Sequence, residues 1–354
     1  MDTTRKSTAR VRRMLTLAAA AGLVTATAAP ALAAPGPAGV LGSLAPSPEP
    51  AVLDTLQVGD GNYEVAVDPI HNRAYFASPG AKAITVVDAT TNATLQTIEL
   101  EHAPYGVAVN PITQIVYTSN TRDKTVAVID AVTGKVTGTI DTGKGHGIEV
   151  DPVRNLVYLA VPGDSAVQVI NGATNAVAAT VPTGETPVQI EVDEARGSYW
   201  VSTTGDATVT EYSSATNEKI ASVTTGEGPQ NMYLDTLRGK LYVDAFKAGT
   251  VDVVDVNTDA VVDSIDVGAQ PIGIDCNPVS AVCVVPHLTA KGDGGKGSTD
   301  PDDPGRVSVI DADAGTKIAE LHIGGVPLGV GYNPLTSTAL VTDRGSAEVA
   351  VIGA

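Results

Sequence analysis

Three carboxyl side chains and one tyrosine recur at a constant interval in the middle of the chain. Glu149, Glu191, Tyr233 and Asp275 are each 42 residues apart. Oxygen ligands of this kind bind hard cations such as Ca²⁺. Carboxyl groups that lie close together also raise one another's pKa, which can make one of them a general acid or base. Glu149, Glu191 and Asp275 are therefore candidate ligands for calcium or another divalent cation, and candidate catalytic groups, if the fold brings them together.

A second set of polar side chains precedes this position by two residues. It comprises Glu64, Gln189 and Asn231, while the other four copies have glycine there. Neighbouring aromatic, amide and cationic residues complete the candidate ligand-binding set: Tyr63, Glu64, Tyr105, His146, Gln189, Gln230, Asn231, His287 and Arg344. The sequence contains no nucleophile elbow, Walker loop or His-Glu-x-x-His zinc motif. The chemistry of these residues therefore depends on how the chain positions them.

The candidate residues belong to a unit that occurs seven times. One dipeptide marks each copy, at intervals of 42, 41, 42, 42, 42 and 56 residues: Asp68-Pro69, Asn110-Pro111, Asp151-Pro152, Asp193-Glu194, Asp235-Thr236, Asn277-Pro278 and Asn333-Pro334. Each copy contains short runs rich in Val, Ile, Thr and Tyr, separated by Gly, Asn, Asp and Pro, and such runs predict strands. A period of about 40–45 residues made of strands alone predicts the blades of a β-propeller.

The second copy indicates how the strands of a blade are arranged. Its four predicted strands are Tyr105–Val109 (A), Ile115–Thr118 (B), Thr125–Ile129 (C) and Lys135–Ile140 (D). The seventh copy ends at strand C, whereas a D-like segment, Val52–Val58, precedes the first copy. We therefore predict an all-β, seven-bladed β-propeller of four-stranded blades over residues 51–354. The N-terminal strand should pair with Val349–Ile352 and complete the last blade, which removes the exposed sheet edges.

In this fold, strand A of each blade should line a central channel, and the D–A and B–C loops should surround its mouth. Because side chains alternate along a strand, Glu149, Glu191 and Asp275 should share one level of the channel, with Gln189 and Asn231 one layer nearer the mouth. Three interpretations remain open: a cation site, a catalytic acid or base, or a water-filled polar channel whose carboxyl groups meet tyrosine, backbone amides and water.

One stretch of the second copy resembles a known repeat. Ile115–Asn120 reads IVYTSN and is followed by Val126–Asp130 and Gly134–Val136, a pattern similar to the YVTN family of β-propeller repeats (YncE-like, exported bacterial type). Weaker copies lie at Ala74–Ser78 and Leu241–Asp244. The resemblance implies a propeller over residues 51–354 and little about function, because relatives of this family include many proteins of unassigned role. Propeller lactonases and lyases that bind calcium offer only an analogy of fold.

The amino terminus indicates export. Residues 1–33 combine a basic head, an apolar stretch and Ala31-Leu32-Ala33, which predicts a signal peptide; residues 34–50 form an Ala/Pro/Gly-rich linker. Removing residues 1–33 takes away five basic residues and Asp2, so the net charge falls from −18 to −22. This acidity argues against nucleic acid and anionic membranes as partners. We expect a secreted monomer.

The two cysteines and an insertion in blade 6 lead to two further predictions. Cys276 and Cys283 are the only cysteines, and they align with Val109 and Val116 on either side of an A–B turn. In an exported protein this pair should form a disulfide. The 56-residue interval reports an insertion of 14 residues within 288–305, in the B–C loop of blade 6. Its composition suggests a solvated loop.

The sequence favours a binding or scaffolding module. The expected site is the mouth and the central channel, and the expected partner is an extracellular protein, a peptide or a small molecule. The alternative is a metal-dependent propeller enzyme of the lactonase or lyase type that uses the channel carboxylates.

Overall fold

Each repeat folds into one four-stranded antiparallel sheet, and each sheet is one blade. The computed structural model describes residues 49–288 and 305–353, and the strands given below are those of these two ranges. Within every blade the strands follow the order A to D from the centre outwards.

An initial strand, β1 (Ala51–Gln57), precedes the first three blades. Blade 1 contains β2 (Glu64–Asp68), β3 (Arg73–Ser78), β4 (Ala83–Asp88) and β5 (Thr94–Glu99). Blade 2 contains β6 (Gly106–Asn110), β7 (Ile115–Asn120), β8 (Thr125–Asp130) and β9 (Lys135–Asp141). Blade 3 contains β10 (Ile148–Asp151), β11 (Leu156–Val161), β12 (Ala166–Asn171) and β13 (Ala176–Pro182), with a 3₁₀ turn at Pro162–Asp164.

The remaining blades repeat this order. Blade 4 contains β14 (Pro187–Asp193), β15 (Ser198–Thr203), β16 (Thr208–Ser213) and β17 (Lys219–Thr224). Blade 5 contains β18 (Pro229–Asp235), β19 (Lys240–Ala245), β20 (Thr250–Asp255) and β21 (Ala260–Asp266). Blade 6 contains β22 (Asp275–Cys276), β23 (Val282–His287), β24 (Gly305–Asp311) and β25 (Thr316–Ile323). Blade 7 contains β26 (Pro327–Asn333), β27 (Thr338–Asp343), β28 (Glu348–Gly353) and the initial strand β1.

The A–B turns are shaped by the Asp or Asn that opens each anchor dipeptide. In blade 1, Asp68 is buried, and its Oδ1 accepts hydrogen bonds from the backbone N–H groups of Ile70 and His71, both at 3.0 Å. Asn110 of blade 2 accepts the N–H of Ile112 at 3.0 Å in the same way. A short polar side chain that bonds the backbone two and three residues later stabilises a tight turn. The recurrence of Asp and Asn is therefore explained by the fold.

The hydrophobic core of the described residues is divided into seven clusters, one at each interface between neighbouring blades. Between blades 2 and 3, Tyr117 and Val128 pack in one cluster with Val157 and Leu159. Between blades 7 and 1, Leu340 of blade 7 packs in one cluster with residues of blade 1. Each blade buries its faces only against its neighbours, so the ring must close if the first and last blades are to be covered.

The ring closes as predicted. Strand β1 pairs antiparallel with β28, with Leu56 opposite Val349 and Val52 opposite Ile352. The prediction of an all-β seven-bladed propeller closed by an N-terminal strand is therefore confirmed. Strand A of blade 2 begins and ends one residue later than predicted, at Gly106 and Asn110.

Some predictions concern residues outside the two described ranges. The predicted signal peptide (1–33), almost all of the linker (34–50) and most of the blade 6 insertion lie outside the described residues. Among the residues that are described, no helix is long and apolar enough to cross a membrane.

Candidate functional site

The inner strands of the seven blades surround a cavity of about 470 Å³, which we call the channel. It brings together most of the polar residues that the repeat alignment singled out. One level, the acidic layer, consists of Glu149, Glu191, Tyr233 and Asp275; the level nearer the mouth, the amide layer, consists of Glu64, Gln189 and Asn231. The channel extends to the A–B turns, where Pro69, Glu194, Pro278 and Pro334 line it.

Two carboxyl groups of the acidic layer bind the backbone of the next blade. Glu191 Oε1 accepts the N–H of Leu234 at 3.1 Å, and Asp275 Oδ2 accepts the N–H of Tyr332 at 2.7 Å. The inner strand of a blade has no further strand on its channel side. The backbone N–H groups on that side therefore need other hydrogen-bond acceptors. Glu191 and Asp275 supply these partners and join blade 4 to blade 5 and blade 6 to blade 7.

Glu149 differs from its two neighbours. Its Oε1 accepts the N–H of the following residue, Val150, at 3.0 Å. Among the hydrogen bonds of the described residues, none joins the Glu149 carboxyl group to another blade. Of the three carboxyl groups in the acidic layer, that of Glu149 is thus the one that does not join two blades.

Burial is the main cause of the raised pKa values of the carboxyl groups in the channel. It raises the pKa of Glu64 and of Glu149 to about 7, and the pKa of Asp275 to about 6. The pKa of Glu191 lies well above its usual value, first because of burial and then because of the nearby Glu149. Desolvation disfavours the charged form of a carboxyl group, and neighbouring carboxylates add to the effect. Several of these carboxyl groups therefore titrate close to neutral pH, and a positive charge that enters the channel would favour their ionised forms.

The charged side chains that line the channel are all acidic. Its ionisable acids are Glu64, Glu149, Glu191, Glu194 and Asp275, and no Lys, Arg or His is among the lining residues. The described residues contain no group of three or more His, Cys, Asp or Glu side chains close enough together to hold a metal ion. The predicted metal ligands Glu149, Glu191 and Asp275 therefore share a cavity without forming a compact coordination shell.

The amide layer has one unsatisfied polar atom. Gln189 Oε1 is buried in the channel wall without a hydrogen-bond partner. Asn231, by contrast, donates from Nδ2 to the carbonyl of Ile272 at 2.5 Å and so binds the next blade. Buried polar groups normally have partners, whereas Gln189 Oε1 packs against Gly147 of the neighbouring blade without one.

The predicted mouth residues Tyr63 and Tyr105 form a separate aromatic pair. Their ring centroids are 5.4 Å apart in an edge-to-face arrangement. The guanidinium of Arg344 lies 5.9 Å from the Tyr63 ring centroid, and that of Arg122 lies 5.8 Å from the Tyr105 ring centroid. Both distances suit cation–π contacts. None of these four residues is part of the channel lining.

Both histidines of the candidate set have roles inside the fold. His287 is completely buried, with Nδ1 at 2.9 Å from the carbonyl oxygen of Ala269 and Nε2 at 2.8 Å from Ser308 Oγ. Burial lowers its pKa to about 4. His287, a member of the candidate ligand-binding set, is therefore enclosed by the protein and has no exposed surface. Burial also lowers the pKa of His146, whose Nδ1 lies 3.3 Å from the Val188 carbonyl oxygen.

Gln230 makes its hydrogen bonds through its backbone. Its N–H donates to Asp244 Oδ1 at 3.2 Å, and its carbonyl accepts a hydrogen bond from Ser202 Oγ at 2.6 Å. Its side chain does not line the channel. Gln230 is thus placed by the joint between blades 4 and 5.

A disulfide joins Cys276 and Cys283, which are paired across strands β22 and β23. Strand β22 is only two residues long, Asp275–Cys276. The Cys276 N–H donates to Asp275 Oδ1 at 2.8 Å. The disulfide therefore holds the short inner strand that carries a member of the acidic layer.

Sequence reasoning missed two acidic residues. Glu194 lines the turn end of the channel at a position where five blades have proline. Asp244 is completely buried and accepts the N–H groups of Gln230 and Asn231, while its Oδ2 has no partner. Burial raises the pKa of Asp244 well above its usual value. The repeat alignment could have revealed both residues, because each is an acid at a position where the other blades have a residue of another kind.

Comparison with known proteins supports the architecture alone. No family model matches the chain, and no curated protein matches it. A solved structure titled Kuenenia stuttgartiensis Hydrazine Synthase is similar in fold, with a TM-score of 0.69 and 16% sequence identity over 83% of this chain and 96% of that chain. At this identity the similarity shows the fold and carries no conclusion about chemistry.

Proposed function

We propose that the protein is an exported binding module whose channel receives a cationic group of a small molecule, a peptide or an extracellular protein. The observation that carries the proposal is the one-signed lining of the channel: five acidic residues and no basic residue. The predicted signal peptide and the resemblance to exported YVTN-type propellers support the location. The propeller fold is itself a common scaffold for ligand-binding surfaces.

The raised pKa values explain why a cation would be preferred. A positive charge near the acidic layer favours the ionised carboxylates and displaces their protons, so binding energy comes from ion pairs formed away from bulk water. Affinity should therefore increase as the pH rises through the pKa values of Asp275, about 6, and of Glu149, about 7.

The test is ligand-induced thermal stabilisation at pH 5.5 and pH 8. Calcium chloride and 1,5-diaminopentane serve as probes, so that the metal and ammonium sources of positive charge are distinguished. Both probes, or one of them, should raise the melting temperature at pH 8 and raise it less at pH 5.5, because a ligand that binds only the folded state stabilises it.

The matched variants are Glu191→Gln and Asp275→Asn. Each amide keeps an oxygen that can accept the existing bond from Leu234 or Tyr332 and removes one negative charge, so the variants should fold and respond less to the cation. Glu101→Gln, at an exposed position outside the channel, is the control. Absence of any response at pH 8, or a response that both channel variants retain in full, would refute the proposal.

A second function is favoured by one observation. The pKa values of Glu64 and Glu149, each about 7, suit a general acid or base at neutral pH. This is the basis for a metal-dependent lactonase or lyase as the alternative. Calcium-dependent hydrolysis of simple γ- and δ-lactones that Glu149→Gln abolishes would favour the enzyme over the binding module.

A further inference from the structure

A ring of exposed aliphatic side chains lies on the face opposite the mouth, which we call the turn face because it carries the A–B and C–D turns. The third residue of the A–B turn is large and apolar in six of the seven blades, and each of the six is at least 60% exposed: Ile70, Ile112, Val153, Leu237, Val279 and Leu335. We call these six residues the aliphatic ring. Ala195 takes the same position in blade 4 and is also exposed.

The C–D turns show that the turn geometry does not require these side chains. They lie on the same face, and an Asp, Asn or Ser side chain closes them with the same hydrogen bonds. Their third residues, however, are small or polar in five of six blades: Thr90, Ala173, Ala215, Asn257 and Asp313, with Val132 as the exception. Large apolar residues are thus concentrated on the inner circle of turns. Large apolar residues that are exposed at one recurring position around a channel are candidates for an interaction surface.

The aliphatic ring is held in place by its turns. The N–H groups of Leu237 and Val279 donate to the Asp235 and Asn277 side chains, each at 2.9 Å. The N–H of Leu335 donates to Asn333 in the same way, at 3.0 Å. A backbone that is already fixed loses little conformational freedom when a partner binds. The ring is therefore preorganised for contact.

The ring surrounds the end of the channel. The residue immediately before a ring member lines the channel in three blades, namely Pro69, Pro278 and Pro334, and Glu194 does so in blade 4. Apolar contacts are thus available around an opening whose interior is acidic. A basic group flanked by apolar residues is complementary to this arrangement in both charge and polarity.

We propose that the aliphatic ring is the docking surface for a segment of an extracellular protein, a turn or a chain end, in which apolar residues flank one Lys or Arg. The basic side chain enters the channel from the turn face, and the apolar residues contact the ring. This proposal rests on the proposed function of the channel and specifies its partner. A second copy docked face to face would bring two acidic openings together, and an anionic lipid surface would be repelled by them.

The experiment measures binding of a fluorescein-labelled capped nonapeptide, Gly-Ser-Leu-Leu-Lys-Leu-Leu-Ser-Gly, to the exported protein by fluorescence anisotropy. A second peptide has Glu in place of the central Lys. The protein variants are Leu237→Ser combined with Val279→Ser in the ring, and Val132→Ser on a C–D turn as the matched control. All three side chains are largely exposed, so the variants should fold like the wild type.

The wild type should bind the Lys peptide saturably, and the ring variant should bind it about tenfold more weakly, because two apolar contacts are lost. Val132→Ser should bind like the wild type, the Glu peptide should not bind, and the calcium or diaminopentane response should survive in the ring variant. No saturable binding, equal affinity for both peptides, or unchanged affinity of the ring variant would overturn the docking proposal.

Two other outcomes would assign the ring to a different occupant and overturn the proposal as well. One is a dimer in sedimentation experiments that the ring variant loses. The other is binding to phosphatidylcholine vesicles that depends on the ring, without binding of the Lys peptide. A cation response that persists while peptide binding fails would leave the proposed function intact, whereas loss of both would remove the two together.

Discussion

The carboxyl group of Glu149 should destabilise the folded protein above neutral pH. Its pKa rises from 4.5 to about 7 on folding, mainly because of burial and also because of Glu194 and Asp275. Between these pH values the folded protein holds a proton that the unfolded chain has released. The associated stability is fully present below pH 4.5 and is lost as the pH rises to about 7. Glu149→Gln cannot release a proton, so it should remove this loss.

The magnitude follows from the shift. A difference of about 2.5 pKa units corresponds to about 3 kcal/mol, and because Glu149 is only half-buried the contribution should be about 1–3 kcal/mol. Glu149 also raises the pKa of Glu64 and Glu191, so its removal should ease their ionisation. At about 2–4 °C per kcal/mol for a domain approaching this size, the variant should melt about 2–12 °C higher than the wild type at pH 8.

The assay is thermal and urea-induced unfolding of the wild type and Glu149→Gln between pH 4.5 and pH 8.5, with Glu101→Gln as the control at an exposed site. The difference between the curves of wild type and Glu149→Gln reports Glu149 together with its effect on Glu64 and Glu191, because the remaining carboxylates titrate in both. The two curves should converge near pH 4.5 and separate up to about pH 7. Parallel curves would refute the raised pKa assigned to Glu149, and a variant less stable at pH 8 would show that its charge stabilises the ring.

Three further predictions concern the joints of the ring. Deleting residues 51–58 should cause aggregation or a large loss of thermal stability by exposing the edge of blade 7, whereas deleting 34–48 should not; equal stability of the two truncations would contradict the closure. Replacing Cys276 and Cys283 with serine should lower the unfolding free energy by about 1–3 kcal/mol, measured by urea denaturation against the oxidised wild type. Asp244→Ser should be at least as stable as the wild type at pH 8, because a hydroxyl can accept the N–H of Asn231 as Ser202 Oγ accepts that of Gln189 and no buried carboxyl group with a raised pKa remains to ionise; marked destabilisation would show that the carboxyl group makes a contact that a hydroxyl cannot replace.

The repeat explains why much of this molecule could be predicted from the sequence. A period of 42 residues places equivalent residues of successive blades at equivalent positions, so the grouping of Glu149, Glu191 and Asp275 in one channel follows from alignment alone. The pairing of Cys276 with Cys283 follows in the same way, because aligned residues on either side of the A–B turn are opposite each other. Periodicity therefore predicts which residues share a level.

Contacts that differ from blade to blade could not be predicted in this way. His287 aligns with residues at the loop end of strand B and was a candidate for ligand binding, but its ring is held by hydrogen bonds with Ala269 and Ser308. Glu191 reaches Leu234 of the next blade whereas Glu149 bonds to its own neighbour. Such differences depend on side-chain conformation and on packing between blades, for which the alignment carries no signal.

The joint between β1 and β28 sets the order of events in biosynthesis. Gln57 and Glu348, which hydrogen-bond across this joint, are separated by 291 residues. Strand β1 is made long before its partner, which leaves the ribosome 291 residues later, so the ring cannot close until β28 has been synthesised. Until then the faces of the outer blades lack their neighbours and their apolar surface is exposed. The growing chain is thus an open arc that must be kept from associating with other chains, and a product truncated before residue 348 would keep that state permanently.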